Sequence, residues 1–137
     1  MTSFALIPPD LFHLLRGNAA DHDDDHIPLA KLFNPVGPER WLLTELNADE
    51  DSLFGLADLG TGCPEIGTFS LRELEALALP FGLRIELDRS FRTDHRLSVW
   101  VEAAEAIGSI SGAERVLSAA RRQAKSPKNS ISSREGE

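Results

Sequence analysis

The stretch "EIGTFSLREL" (residues 65–74) decides the fold, because the period of its side chains changes halfway along. Glu65 to Phe69 reads as a short strand bounded by turn residues. From Ser70 onward the spacing is helical, with Leu71, Leu74 and Leu77 recurring on one face. Ser70 and Glu73 make a capping box: the serine hydroxyl can accept from the Glu73 amide, and the glutamate can reach back. Pro80 and Gly82 close that helix near "LPFG". A run of strands that hands over to a run of helices is the pattern of an α+β chain.

Working upstream, "IPLAKLF" (27–33), "RWLLTEL" (40–46) and "SLFGLADL" (52–59) read as three more short strands. The breaks "NPVGP", "NADED" and "GTGCP" are rich in turn formers. They are too short for parallel crossovers, so the strands should form an antiparallel meander. Ahead of them, Pro8, Pro9 and Asp10 suit the first turn of a short helix carrying Leu11, Leu14 and Leu15, with Gly17-Asn18 as its stop.

Downstream, "LRIELD" (83–88) reads as a fifth strand. A helix from Leu97 to Ile107 would turn Val101, Ala104 and Ala106 or Ile107 inward, with Gly108 ending it. "GAERVLSAARRQA" (112–124) reads as a basic helix. The expectation is one α+β domain over residues 1–110, an antiparallel meander of four to five short strands packed by two to four helices. A basic helix at 111–124 and a disordered tail at 125–137 follow. The tail holds one hydrophobic residue, too little to offset its ordering entropy.

Composition narrows the function classes. The chain of 137 residues is 42% hydrophobic and 26% charged, as in ordinary soluble domains. No apolar run is long enough for a membrane span, and "MTSFALIPPD" lacks the marks of a secretory signal, so the expected location is cytoplasmic. With Cys63 alone, an internal disulfide and a cysteine-based zinc cluster are excluded. The net charge is −8. The span from Asn18 to Leu59 has ten acids against Lys31 and Arg40, itself a net −8, whereas the chain from Ser111 onward carries +3. An acidic body disfavours a phosphate-tracking surface, so nucleic acid is not the expected partner.

Five features invite chemistry. "DHDDDH" (21–26) brings His22 and His26 together with Asp21, Asp23, Asp24 and Asp25 as candidate metal ligands. It matches neither the zincin pattern nor, beyond Asp21, Asp23 and Asp25, a calcium loop. The reading preferred is a solvated loop acting by charge, with no resident metal. "GLADLGTGCPEIG" (55–67) has Glu65 where a dinucleotide fingerprint needs glycine, so its glycines are read as turns. Cys63 has no histidine near it in sequence to activate a thiolate.

Glu45, Asp58 and Glu65 sit among apolar strand residues, Glu45 in phase with Trp41 and Leu43, and Asp58 with Phe54 and Leu56. They are the candidate catalytic carboxylates, though acids at strand ends more often bond turn amides or an arginine. Lastly, Arg84, Arg89, Arg92 and Arg96, with Phe91 and His95 among them, form a basic cluster. Arg89, Phe91 and Arg92 are the candidates for stacking on a base or holding an anion.

"GLADLGTGCPEIGTFSLRELEAL", followed by "PFGLRIELDRSF" and "LSVWVEAA", resembles the domain-of-unknown-function family 2958 of bacterial proteins. "HIPLAKLFNP" and "WLLTEL" upstream are similar to it as well. The likeness runs from about Leu6 to Ile110, and its most specific part is Pro64 to Leu74. It departs at "IELDRSF", where Leu87 follows Glu86 and the arginine falls at position 89. The resemblance implies a single α+β domain and an accessory role on plasmids, phages or integrative elements. It supplies no activity, cofactor or catalytic residue.

The function expected is that of a non-enzymatic accessory domain without a cofactor, offering its acidic half to a basic protein partner. The alternatives are a carboxylate- or metal-dependent enzyme using the strand acids, and a single-strand binder using the arginine cluster.

Overall fold

A computed structural model describes residues 5–125. Four consecutive strands, β1 (Ala30–Phe33), β2 (Arg40–Leu46), β3 (Ser52–Asp58) and β4 (Glu65–Ser70), each pair antiparallel with the next. A short β5 (Glu86–Leu87) returns to the far side and pairs antiparallel with β1, giving the order β4-β3-β2-β1-β5. Helices α1 (Pro9–Ala19), α2 (Leu71–Ala76), α3 (Leu97–Ile107) and α4 (Ile110–Lys125) complete an α+β fold.

The helices cover both faces of the sheet, and two separate cores result. On one face Leu15 of α1 and Leu71 and Leu74 of α2 pack with Leu32, Trp41, Leu43, Leu46 and Leu53. On the other, Leu97, Trp100 and Ala104 of α3 and Ile110, Ala113 and Leu117 of α4 pack on Leu42 and Leu56. Central strand β2 is therefore buried on both sides, from Trp41 to Leu46. This explains why "WLLTEL" reads as a nearly continuous apolar run instead of a clean alternation.

The β2–β3 ladder holds one irregularity that matters for the site. Leu43 pairs with Gly55 and Glu45 with Phe54, so Thr44 is an extra residue, a bulge. Gly55 is required opposite it: a Cβ there would lie 1.8 Å from the Leu42 carbonyl oxygen. The Thr44 hydroxyl secures the bulge by donating to the Phe54 carbonyl at 3.1 Å.

The handover at Ser70 is as the sequence predicts, with the Glu73 amide donating to Ser70 Oγ at 3.1 Å. Helix α2 is shorter than expected, since Leu77 is already extended and 42% exposed. The fifth strand shrinks from 83–88 to two residues because a tight turn claims its start. There the Leu79 amide donates to the Leu83 carbonyl, and the Leu83 amide to that of Pro80. In α3, Val101 and Ala104 turn inward as expected, joined by Leu97 and Trp100, whereas Ala106 and Ile107 are exposed. The basic helix begins at Ile110, and its first turns are core. Of the tail expected at 125–137, all but Lys125 lies outside the described residues.

Candidate functional site

The bulge decides where Glu45 points. Without it Glu45 would share the face of Trp41 and Leu43; with it the side chain turns to the α3–α4 face, beside Phe54. Glu45 is 1% exposed there, and its Oε1 lies 2.7 Å from Nδ1 of His22, whose side chain is 61% exposed. The imidazole also meets the Phe54 ring edge-on, with centroids 5.3 Å apart. Two residues flagged separately, one in a strand and one in the acidic loop, thus meet. The Glu45 hydrogen bond and then its charge, aided by Asp23 and opposed by desolvation, hold the His22 pKa above 6.5.

That contact is one of several that fasten the acidic loop. At the end of α1, just ahead of the loop, Asn18 Nδ2 donates to the Thr44 carbonyl at 3.0 Å and Arg16 to that of Leu46 at 2.9 Å. Asp25 accepts from both the amide and the hydroxyl of Ser98 in the first turn of α3, the position where a carboxylate best satisfies unpaired helix amides. Arg96 donates to the Asp25 carbonyl, the Leu97 amide to that of His26, and His26 Nε2 lies 2.8 Å from the Asp21 carbonyl oxygen. The loop passes round the end of the sheet as a strap between α1 and α3. His22 and His26 are held in separate bonds. Among the described residues, no three histidine, cysteine or acidic side chains converge as a metal site.

The β2–β3 turn sits at the same end. Asp49 accepts from the Ser52 hydroxyl at 2.6 Å and from the amides of Ser52 and Asp51. These bonds, the hydroxyl first, lower its pKa to about 2. Asp51 accepts from the Arg72 amide at 2.8 Å and from the Ser70 hydroxyl, which lowers its pKa too. The Asp25 pKa is likewise lowered, chiefly by the Ser98 hydroxyl. The donors are mostly neutral hydroxyls and amides, which leave the carboxylates ionised; the exception is the Arg72 guanidinium, 3.5 Å from Asp51. Asp21, Asp23, Asp24, Asp49 and Glu50 are all exposed. One end of the sheet is a fixed acidic surface.

The other two strand acids lie elsewhere. Asp58, 2% exposed, accepts from the Gly60 amide at 2.9 Å and from the Ile110 amide at 2.8 Å, anchoring the start of α4 to the sheet. It is four strand positions from Phe54, hence about 13 Å along β3 from Glu45. Glu65, exposed, pairs with Ala57 and shares its face, opposite to that of Asp58. The three candidate carboxylates do not meet.

The basic cluster is dispersed in the same way. Arg84 donates to the Glu75 carbonyl, Arg92 to that of Phe91, and Arg96 to the strap. Phe91 is 7% exposed with its ring 5.9 Å from Trp100, so no open face remains for a base to stack on. Arg89 and Arg92 do share a cleft of about 340 Å³, floored by Leu11, Leu29 and Leu87 and shared with Asp10 and Asp88. Cys63 is an exposed free thiol in the β3–β4 turn.

Lys31 is a residue that strand patterning concealed. Its ammonium is buried and reaches Asp88 at 2.9 Å and Glu114 at 2.6 Å, tying β1, the residue after β5 and α4 together. Burial alone would raise the Asp88 pKa; the bonds from Lys31 and Ser90 outweigh it and hold it low. A lysine within "PLAKLF" was the only signal, and its partners lie 57 and 83 residues away.

Among the described residues no helix is long and apolar enough to cross a membrane. No curated protein and no solved structure matches the chain. A family model described as "Protein of unknown function (DUF2958)" matches residues 6–111, well over half the chain, and the protein belongs to that family.

Proposed function

We propose that the protein is a cytoplasmic accessory domain, serving a mobile genetic element, that docks a basic protein partner on the acidic end of its sheet. The observation that carries this reading is the strap. Within residues 21–26, His22 is hydrogen-bonded to β2 and Asp25 to α3, so the charge of the segment has a fixed place beside the β2–β3 turn. A preorganised field steers an oppositely charged partner and loses little entropy on binding. The bonds that Asp25 and Asp49 accept from hydroxyls and amides support it, because each keeps its charge; Asp51, 3.5 Å from the Arg72 guanidinium, is partly offset.

The test is affinity capture with the wild-type chain, followed by titration of the purified captured protein against a variant carrying Asp21→Asn, Asp23→Asn, Asp24→Asn and Glu50→Gln. Asp25 is left intact because it caps α3. The reading expects affinity to fall at least about tenfold, roughly 1.4 kcal/mol, with a shallower salt dependence. An unchanged dissociation constant would rule it out.

A further inference from the structure

The two edges of the sheet are finished differently. β5 is two residues long, and Ala5 and Leu6 wall a cleft of about 220 Å³ against Ile85 and Leu87 beside it. β4 is six residues long, and among the described residues its outer side has no strand neighbour. The Leu71 amide donates to the Asp51 carbonyl. By antiparallel alternation, Phe69, Gly67 and Glu65 then direct their backbone groups to β3, while Ile66, Thr68 and Ser70 direct theirs outward.

Among the described residues, no strand protects this edge. Residues 65–70 contain no proline and no lysine, their register with β3 is unbroken, and their single charge is Glu65 at one end. Ile66 is 50% exposed. Gly67 has no internal reason to be glycine: a Cβ there would meet nothing within 4 Å, and its φ is not positive.

We propose that β4 pairs antiparallel with β4 of a second copy about a twofold axis through Thr68, joining the two five-stranded sheets into one. In that register Thr68 faces Thr68 of the other copy, and Ile66 faces Ser70, so each opposed pair has outward backbone groups on both sides. Gly67 then faces Phe69, an arrangement in which an aromatic ring covers a strand glycine. Charge selects the antiparallel orientation of the two copies. The acidic turn lies at the Ser70 end of β4, so antiparallel pairing sets the two acidic ends at opposite corners, whereas parallel pairing would bring them side by side. Both docking surfaces of the proposed function stay open.

Sedimentation of the full chain over a concentration series tests the proposal. The expected mass is about twice the 15.0 kDa of one chain. Thr68→Pro, which removes an outward amide and leaves the β3 ladder intact, and Ile66→Lys, which charges the edge, should each give a monomer with unchanged circular dichroism. In a Cys63→Ser background, Thr68→Cys should cross-link on oxidation, because facing residues of such a pair have Cα atoms about 5.5 Å apart. A wild-type chain that stays monomeric throughout overturns the proposal. So does a dimer that both edge variants retain without cross-linking.

Discussion

Glu45 and Asp58 look alike in the sequence and face the same helical layer from opposite ends of the β2–β3 pair. Both are buried, yet their partners differ. Asp58 is held by two backbone amides, from Gly60 and Ile110, which carry no charge and cannot titrate. Glu45 is held by an exposed imidazole that can. The difference shows how one fold uses the same side-chain chemistry twice. One carboxylate is a fixed joint between sheet and helix, and the other is a latch whose strength depends on pH.

The sharpest way to break the comparison is Asp58→Ala. It leaves two amides without their acceptor, one of them buried at the start of α4. We expect a loss of about 3 kcal/mol in urea unfolding and faster amide exchange from Ile110 to Ala113. A loss under about 1 kcal/mol would show that Asp58 is no joint. Next is Gly55→Ala. The added carbon collides with the Leu42 carbonyl, so the strands must part at the bulge, at about 2 kcal/mol, and the His22 pKa should fall toward 6.5 as Glu45 is displaced.

Glu45→Gln should have a smaller effect that varies with pH. A histidine whose pKa is raised on folding contributes its full stability below the unfolded value of 6.5, and loses it as pH rises through the folded value. The stability gap between wild type and Glu45→Gln should therefore be widest in mild acid and narrow above that range. A gap that widens with rising pH would contradict the assignment. The smallest effect at neutral pH is that of Asp49→Asn. The Asp49 pKa is lowered to about 2, so its contribution is present above 3.8 and disappears as pH falls toward 2. Acid unfolding curves of the two proteins should converge there.

Much of this architecture was legible in local sequence. Strands at 40–46, 52–58 and 65–70, the Ser70 cap and the αL stop at Gly108 each follow from periodicity and turn chemistry confined to a few residues. What escaped was set at a distance. The Thr44 bulge inverts the face of Glu45, and a bulge adds one residue without any change in composition to announce it. The bond from Ile110 to Asp58 spans 52 positions, and that from Lys31 to Glu114 spans 83. In the acidic loop the two histidines go to separate bonds, His22 to Glu45 and His26 to the Asp21 carbonyl, which their spacing does not announce. The loop's fastening by Asp25 and His22 had no local signature. The short β5 gave way to a tight turn at 79–83 that strand propensity alone does not reveal.

The account rests on the acidic loop being clamped to the sheet through His22 and Glu45, since a loose loop would present no fixed surface. The most direct measurement is an NMR pH titration of the His22 ring in the wild type and in Glu45→Gln. The clamp predicts a wild-type His22 pKa above 6.5 that drops in the variant. A His22 that titrates at or below 6.5 in the wild type, and identically in Glu45→Gln, would contradict it.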